Sequence, residues 1–366
     1  MGIAWLFVHF LINIHNLHEV LINLIPMSDR IPNSPPSIAA ISNQLNRPIW
    51  SVMIPSYNCS NYLREALISV LAQDPGPEVM QIEVVDDHST DTDVEALVAE
   101  IGKGRVGFFR QENNVGSLRN FETCLNRSKG QWIHILHGDD MVKPGFYQEI
   151  ASLFKAYPDA GAAFTGCFYI DAKGDILYTN DPLVSRPGLV KNWFSLIARS
   201  QQIQPPTMVV KRFVYEQLGG FFGFHYGEDW EMWVRISSRF PVVHSPRHLA
   251  KYRVHRGNIT SRYFMTGQNI RDVASAIEIV QNYIPDNRRK RLKRMAKKHF
   301  AIYFAKTADM VYYDYANPRQ ALYQAREAFR MHQNLTTLYF VWKTYCKLLV
   351  RYKFHHLSKS SFLGEA

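Results

Sequence analysis

Cysteine is scarce in this chain, and the few cysteines that occur lie far apart. The 366 residues include four of them, at Cys59, Cys124, Cys167 and Cys346. No two have the C-x-x-C spacing of a zinc ribbon or of a dithiol redox motif, which excludes both classes of site. We therefore expect reduced thiols in a cytoplasmic protein.

The first 26 residues lack the features of a segment that enters or crosses a membrane. They are apolar but contain several polar residues, among them Asn13, His15 and Glu19, whereas a spanning helix needs about 20 mainly apolar residues. The basic start and the small-residue cleavage site of a signal peptide are also missing. We favour an extension upstream of the true start at Met27, and an amphipathic surface helix and a membrane anchor are the alternatives.

Net charge is almost absent from the first two-thirds of the chain. The formal charge of the whole chain is +10, from 42 Lys+Arg and 32 Asp+Glu. Residues 268–366 contain 18 of the basic and 7 of the acidic residues, a net of +11, which leaves −1 for residues 1–267. This asymmetry predicts that the C-terminal part meets an anionic partner, either a membrane surface or nucleic acid.

Strand and helix patterns alternate through the first half of the chain. Hydrophobic residues make up 46% and aromatic residues 13% of the sequence, enough for a sizeable core. The predicted elements are strand 49–54, helix 62–73, strand 82–85, helix 94–101, strand 106–109, helix 118–126 and strand 131–136. The alternation predicts an α/β fold with a mostly parallel central sheet and helices on both faces. After about Gly267 only helices are predicted, at 270–283, 286–313, 318–330 and 335–353.

Polar clusters follow four of these strands. They are Ser56-Tyr57-Asn58, Asp86-Asp87, Asn113-Asn114 and His137-Gly138-Asp139-Asp140. Ligands of parallel α/β sheets bind beyond the carboxyl ends of the strands, and those ends meet at one edge of the sheet. The sequence therefore predicts one site at which the four clusters meet.

Five motifs in this region resemble, in order and spacing, those of the family 2 glycosyltransferases. They are Ser51–Asn58, Val84–Ser89, Asn114–Asn120, Leu136–Asp140 and Gly227–Trp230. Each motif alone is weak, but five in the family's order across about residues 48–260 are specific. The resemblance implies a GT-A fold, a nucleotide-diphospho-sugar donor, a divalent metal and inversion at the anomeric carbon.

The acidic strand end at Asp139 and Asp140 is the predicted metal site. Carboxylates there can hold Mg²⁺ or Mn²⁺, which neutralises a diphosphate leaving group. The competing interpretation is a cap for a helix near residues 144–154; we favour metal binding for Asp139 and leave capping open for Asp140. The family usually has Asp-x-Asp here, but this sequence has His137 where the first Asp would stand. His137 could contact the ribose or a phosphate, or it could take no part in binding. The resemblance also implies that His255 is a metal ligand. The alternative is that His255 has only a structural role.

The donor-binding prediction rests on residues around the same sheet edge. By resemblance Asp87 accepts a hydrogen bond from the base, typically from uracil N3–H, since Ser89 or Asp91 can cap the following helix. Tyr57 either stacks on the base or fills the core, and Arg119 either contacts a phosphate or is a solvated helix charge. The full predicted set is Pro55, Tyr57, Asn58, Asp87, Asn114, Gly116, Arg119, His137 and Asp139.

The predicted catalytic base is Asp229. Inverting transfer needs a group that takes the proton of the acceptor hydroxyl, and in the family this is the Asp of the Glu-Asp motif. We expect Glu228 and Trp230 to bind the acceptor, and Trp230, Trp233 and Phe222 to form an apolar wall that raises the pKa of Asp229. The alternative is that the acids in the first turn of helix 228–236 only favour its dipole.

These predictions combine into a three-part chain: an N-terminal extension (1–46), a GT-A domain (47–266) and a basic helical region (267–366). The predicted activity is sugar transfer, from a UDP-sugar, to a glycan or lipid-linked acceptor of the cell envelope. A nucleotidyltransferase is the first alternative, disfavoured because loop 55–61 contains no Lys, Arg or Gly. A nucleic-acid-binding protein using Arg288–Lys298 is the second, and no nucleic acid is expected. Peripheral contact with the inner face of the membrane and a homodimer are left open.

Overall fold

A computed structural model describes residues 30–42, 47–255 and 257–350. The interpretations of residues 1–26 and of Met27 lie outside the described residues, as does the predicted helix end at 351–353. Among the described residues, ten strands join into one sheet. Helices cover both faces of this sheet, and further helices follow it in the chain.

The strands are bounded as follows: β1 Trp50–Ser56, β2 Met80–Asp86, β3 Gly107–Arg110, β4 Trp132–Ile135, β5 Met141–Val142, β6 Ala162–Ile170, β7 Ile176–Thr179, β8 Gly188–Leu189, β9 Met208–Lys211 and β10 Val242–Arg253. Their order in the sheet is β3-β2-β1-β4-β9-β6-β10-β5, with β7 beside β6 and β8 beside β10.

The helices are α1 Ser60–Leu71, α2 Val94–Gly102, α3 Ser117–Arg127, α4 Phe146–Ala156, α5 Trp193–Ile197, α6 Arg212–Leu218, α7 Glu228–Ser237, α8 Ile259–Thr266, α9 Gln268–Val280, α10 Asp286–Tyr313, α11 Pro318–Met331 and α12 Leu335–Leu349. One predicted cap is wrong: neither Ser89 nor Asp91 caps α2, because Asp93 accepts the Ala96 N–H at 3.0 Å. The helix-capping alternative for Asp140 is also wrong, since Gly145 precedes α4.

The strands β3, β2, β1 and β4 are all parallel, as the alternation of strands and helices predicts. The strand β9 then runs antiparallel between β4 and β6, and β6 and β10 are parallel again. The two-residue strand β5 pairs antiparallel with β10, so that Val142 faces Ala250. This last pairing brings the end of β10 to the polar turn that follows β4.

Side chains of the sheet alternate between two hydrophobic layers. In β1, Met53 belongs to the layer that includes α3 and α7, whereas Val52 and Ile54 belong to the layer under α1, α2 and α4. This alternation follows from the two-residue period of a strand. The apolar run of β1 is therefore buried on both sides, as is usual for a central parallel strand.

The C-terminal helices and the described lead-in pack on the same core as the sheet. Phe300 and Phe304 of α10 and Ala321 of α11 belong to the hydrophobic cluster that contains Met53. Ile38 of the lead-in is buried in it as well. The predicted boundaries at 46/47 and 266/267 therefore do not interrupt the packing. Within the described ranges no helix has the length and apolar character needed to cross a bilayer.

Candidate active site

The ends of β1 and β2 are tied together by hydrogen bonds just beyond the last paired residues. The Asp87 N–H donates to the Ser56 carbonyl at 2.8 Å. Asn58 has a φ of 48°, and its side-chain oxygen accepts the Thr90 N–H at 2.8 Å. The fully buried Asp86 accepts the Ser89 N–H at 3.0 Å and pairs with Arg110, also at 3.0 Å. The two polar clusters after β1 and β2 are therefore brought together as predicted.

Asp87 fixes the loop that precedes α3. Its two carboxylate oxygens accept the N–H groups of Val115 at 2.7 Å and Gly116 at 2.9 Å, and the Asn114 amide at 2.8 Å. Burial raises the pKa of Asp87 to about 6, and the two backbone N–H groups oppose that rise. The Asp87 carboxylate therefore already accepts these three hydrogen bonds within the protein, and its contact with a base stays a prediction.

The residues around this loop differ in exposure. Tyr57 is 47% exposed, which contradicts the core-filling alternative and leaves its ring free to contact a ligand. Pro55 is buried in β1, and its carbonyl accepts the Gly138 N–H at 3.1 Å. Gly116 has a φ of 89°, a conformation that a side chain would strain. Arg119 pairs with Glu122 at 2.7 Å and lines a cavity of about 380 Å³ between β3 and α3, together with Val115.

His137, Asp139 and Asp140 form a compact group of possible metal ligands at the end of β4. One donor atom from each lies within 4.8 Å of the other two. The His137 ring stacks on Phe121 of α3, with centroids 5.2 Å apart. Burial lowers the pKa of His137, against the opposing charge of Asp139. A neutral imidazole has a free nitrogen lone pair, so His137 is suited to be a ligand.

The two carboxylates of this group have different partners. Asp139 Oδ2 lies 3.1 Å from His255 Nε2, whereas Asp140 Oδ1 accepts the Arg253 N–H at 2.8 Å. Burial would raise the pKa of Asp139, but the His255 hydrogen bond and the neighbouring imidazoles outweigh it, and the pKa is lowered. Asp140 Oδ2 is buried without a hydrogen-bond partner. Burial and the charge of Asp139 raise the pKa of Asp140 well above its usual value. A bound cation would favour its ionised form and give Oδ2 a partner.

Arg253 holds this arrangement from the end of β10. Its side chain, about 1% exposed, donates to the Asp139 carbonyl at 3.0 Å and pairs with Glu65 of α1, also at 3.0 Å. The guanidinium lies 4.5 Å from the centre of the Tyr62 ring. Three elements that are distant in sequence therefore meet at the acidic pair.

Asp229 lies at the start of α7. Its carboxylate accepts the Trp230 N–H at 2.7 Å and the side-chain amide of Gln201 at 2.6 Å. Burial raises the pKa of Asp229 to about 6, although both hydrogen bonds oppose the rise. Burial and the charges of Asp229 and Asp272 together raise the pKa of Glu228 well above its usual value.

Two neighbouring tyrosines are influenced by the charges of the two acidic groups. Tyr169 of β6 and Tyr252 of β10 are register partners, and their ring centroids are 5.7 Å apart. Both phenols have a raised pKa, first through burial and then through nearby charge, which for Tyr169 includes Asp229. For Tyr252 that charge comes from Asp140 and Asp139. The charge of the predicted base therefore acts on one ring of this pair, and the charges of the predicted metal ligands act on the other.

The predicted acceptor role of Trp230 is wrong. Its side chain is 1% exposed, and its indole N–H donates to the Ile197 carbonyl at 2.7 Å. Its ring packs edge-on against Phe300 of α10. Trp233 is also buried. Position 230 is therefore a core position, because α7 turns this tryptophan toward α10.

Sequence reasoning missed three site residues. Arg253 lies two residues before His255, and the two-residue period of a strand was a signal that both face the same way. Gln201 lies in a segment without a recognisable pattern, so no signal pointed to it. Arg30, which donates to the Asn114 carbonyl at 3.0 Å, lies in the predicted extension.

Comparison with known proteins identifies the family. A family model described as "Glycosyl transferase family 2" matches residues 51–219. A Mycobacterium tuberculosis protein described as uncharacterized is 30% identical over 254 residues, which cover 66% of this chain and 78% of that protein. The chain belongs to glycosyl transferase family 2. An uncharacterized glycosyltransferase of Haemophilus influenzae is 26% identical over 233 residues, 61% of this chain and 71% of that one. The chain is thus a glycosyltransferase.

Solved structures share the fold. Staphylococcus aureus TarS 1–349 in complex with UDP-GlcNAc matches with a TM-score of 0.59 and 15% identity, over 87% of this chain and 98% of that one. The mannosyltransferase PcManGT of Pyrobaculum calidifontis, in complex with GDP-Man and Mn²⁺, matches with a TM-score of 0.51 and 19% identity, over 86% and 84%. These matches confirm the predicted GT-A-like fold with its C-terminal helical region.

Proposed function

We propose that this glycosyltransferase moves a sugar, with inversion, from a nucleotide-diphospho-sugar to an acceptor hydroxyl. The observation that carries the proposal is the convergence of ligand atoms from His137, Asp139 and Asp140 after β4. A second buried carboxylate, Asp229, is held by Gln201 at the start of α7. The proposed donor is a UDP-sugar, and the proposed acceptor is a glycan or lipid-linked precursor of the cell envelope. TarS was solved with UDP-GlcNAc and PcManGT with GDP-Man, which supports a nucleotide-sugar donor.

The acidic group after β4 fits a divalent cation. We propose Asp139, Asp140 and His137 as its ligands, because their donor atoms converge and Asp140 Oδ2 has no other partner. Two oxygens and a nitrogen suit Mn²⁺ as well as Mg²⁺. A bound ion would supply positive charge that stabilises the diphosphate leaving group. His255, predicted as a ligand, is assigned instead to holding Asp139 through its 3.1 Å contact.

Asp229 is the proposed general base. In the transfer step its carboxylate takes the proton of the acceptor hydroxyl while the hydroxyl oxygen bonds to the anomeric carbon. The bond from that carbon to the diphosphate oxygen breaks, and the oxygen leaves with the electron pair. With a pKa of about 6, Asp229 is mostly ionised at pH 7 but more basic than an ordinary carboxylate. Gln201 holds it in place through its amide.

The donor would lie across the loops after β1 and β2. Tyr57 offers an exposed ring for the base. Asp87 already holds the loop at residues 114–116 through hydrogen bonds to its backbone, so the loop can bind the donor without breaking these bonds. Arg119 on α3 is the proposed phosphate contact. Its guanidinium would leave Glu122, with which it pairs in this structure, and bind the phosphate.

A screen of nucleotide sugars tests the proposal. Purified full-length protein is incubated with UDP-, GDP-, dTDP- and CMP-sugars, with Mn²⁺ or with a chelator, and release of free nucleotide is measured. We expect one nucleotide class to be hydrolysed or transferred, with a requirement for the metal. Release that is unchanged by chelation would remove the metal from the mechanism, and release from CMP-sugars alone would remove the diphosphate donor.

A further inference from the structure

The helix α12 turns its apolar side chains toward solvent. Every residue of α12 that is more than a third exposed is aliphatic or aromatic, namely Leu335 (85%), Leu338 (50%), Tyr339 (50%), Trp342 (63%), Tyr345 (52%) and Leu349 (66%). They recur at intervals of three and four residues and therefore lie along one face of the helix. We call these six residues the outer face.

The charged side chains of α12 point the other way. Lys343 and Lys347 both pair with Asp309 of α10, and the Lys347 Nζ–Asp309 Oδ1 distance is 2.9 Å. Lys347 Nζ also lies 4.2 Å from the centre of the Tyr313 ring. These lysines are therefore held in the interface with α10 and do not belong to the outer face.

A contiguous apolar strip on a solvent-facing helix is unfavourable unless something covers it. An ordinary surface helix has the opposite arrangement, with its apolar stripe on the core. We propose that the outer face of α12 is the surface by which the protein lies on a lipid bilayer, with the helix in the plane of the interface.

The composition and length of the outer face fit a bilayer interface. Trp342, Tyr339 and Tyr345 combine an apolar ring with a polar tip, the chemistry enriched where hydrocarbon meets water. A 15-residue helix is about 22 Å long at ~1.5 Å per residue, shorter than the ~30 Å hydrocarbon core. It can therefore lie along the interface but cannot cross it. The sequence continues with Arg351 and Lys353, residue types that anionic headgroups attract.

A second copy of the chain fits this face less well. One helical face of this length presents a strip of roughly 22 by 10 Å, from the dimensions of a helix with its side chains. A stable protein interface buries about 800 Å² on each partner. The strip alone falls short of that area, whereas a bilayer needs no complementary surface.

Vesicle flotation of the full-length protein tests the proposal. The vesicles are phosphatidylcholine alone and phosphatidylcholine with phosphatidylglycerol, each in low and in high salt. We expect binding to both, stronger to the anionic vesicles, with binding to phosphatidylcholine retained in high salt because apolar burial is not screened. The double variant Leu338→Ser/Trp342→Ser should bind at least ~10-fold more weakly, since it removes two large apolar side chains.

Two control variants separate this face from other features. The pair Ile68→Ser/Leu189→Ser removes similarly exposed apolar side chains from α1 and β8, and it should bind like the wild type. The pair Arg291→Gln/Arg294→Gln removes exposed charge from α10. It should weaken binding to anionic vesicles only, and loss of all binding in this variant would overturn the proposal.

Fluorescence gives a second measurement that does not depend on a disruptive variant. Brominated lipids should quench part of the tryptophan emission, and the conservative variant Trp342→Phe should lose that quenched part while still binding. The proposal is overturned if the wild type does not float, or if the Leu338→Ser/Trp342→Ser variant floats as well as the wild type. A different result would assign the outer face to a second copy of the chain: sedimentation without lipid would show a dimer for the wild type and a monomer for the Leu338→Ser/Trp342→Ser variant.

Discussion

Two pairs of adjacent carboxylates, Asp139–Asp140 and Glu228–Asp229, each contain one acid whose pKa is raised well above its usual value, namely Asp140 and Glu228. The pairs differ in their other member, because the surroundings shift the pKa values of Asp139 and Asp229 in opposite directions. Burial disfavours the charge of both pairs. Asp139 is compensated by two imidazoles and its pKa is lowered, whereas Asp229 has only neutral partners and its pKa is raised to about 6. The difference lies in the partners and not in the depth of burial.

This contrast suits Asp139 and Asp229 to the different roles proposed for them. A carboxylate that stays ionised is suited to hold a cation, and a carboxylate with a raised pKa is suited to take and release a proton. Two residues that resemble each other in sequence, each an Asp beside a second acid, are thus separated by their environments. The predictions below test that separation, starting with the largest expected effect.

The variant Asp229→Asn should lose transfer but keep donor binding. Removal of a general base typically costs ~10²–10⁴ in rate, and no proposed donor contact involves Asp229. We expect kcat to fall by that amount while the donor KM changes by less than about threefold. Steady-state kinetics with the donor found in the screen measure both. The control is Glu95→Gln, an exposed acid in the first turn of α2, which should not change either value.

The variant Asp139→Asn should weaken Mn²⁺ binding by more than ~10-fold, since even partners outside the ligand set typically contribute 10–100-fold to affinity. Electron paramagnetic resonance of free Mn²⁺ in a titration measures this. Asp229→Asn serves as the matched comparison and should bind the ion like the wild type. Equal Mn²⁺ affinity in both variants would mean that the two pairs are not separated in function.

The rate should fall on the acidic side with a midpoint near pH 6. The proposed base acts when it has lost its proton, so kcat should drop about tenfold per pH unit below the pKa of Asp229, which burial raises to about 6. An ordinary aspartate would place this limb near pH 4. Asp87 also has a pKa of about 6, but its protonation should affect the donor KM and leave kcat alone. A flat kcat from pH 7 to 5 would contradict the assignment.

Much of this arrangement could be predicted from the sequence because it is local. The strands β1, β2 and β4 are short apolar runs with polar residues directly after them, and their predicted ends lie within two residues of the observed ones. Parallel pairing then brings Asp86, Asp87 and Asp139 to one edge, whatever the rest of the chain does. The predicted helix of residues 286–313 has the observed bounds.

What could not be predicted depends on contacts between distant segments. The pairing of β5 with β10 brings Arg253 to the acidic pair. Its position two residues before His255 relates the two side chains to each other but does not predict this pairing. Trp230 is buried because α10 packs against α7 through Phe300. Lys343 and Lys347 are four residues apart, a spacing that is usual for a solvated basic face of a helix. They are directed to the protein interface because both pair with Asp309, which lies on another helix.

Gln201 should show the smallest effect. Its amide donates to Asp229 Oδ2 at 2.6 Å and so favours the ionised form. In the variant Gln201→Met, which keeps the length of the side chain, the acidic limb of kcat should move up by roughly half to one pH unit, because a lost hydrogen bond to the charged form raises a carboxyl pKa. A simple loss of folding would lower the rate at all pH values without moving the limb. An unmoved limb in a folded variant would show that Gln201 does not position the base.

The separation of the two acidic pairs is tested most directly by calorimetry with the nucleoside diphosphate of the donor. The titration is carried out with Mn²⁺ and with a chelator, on the wild type, on Asp139→Asn and on Asp229→Asn. The predicted result is that Asp229→Asn binds the nucleotide like the wild type, with the same requirement for Mn²⁺. The variant Asp139→Asn should bind the nucleotide weakly with or without Mn²⁺, at the affinity that the wild type shows with the chelator. Metal-dependent binding that survives in Asp139→Asn and disappears in Asp229→Asn would contradict the account.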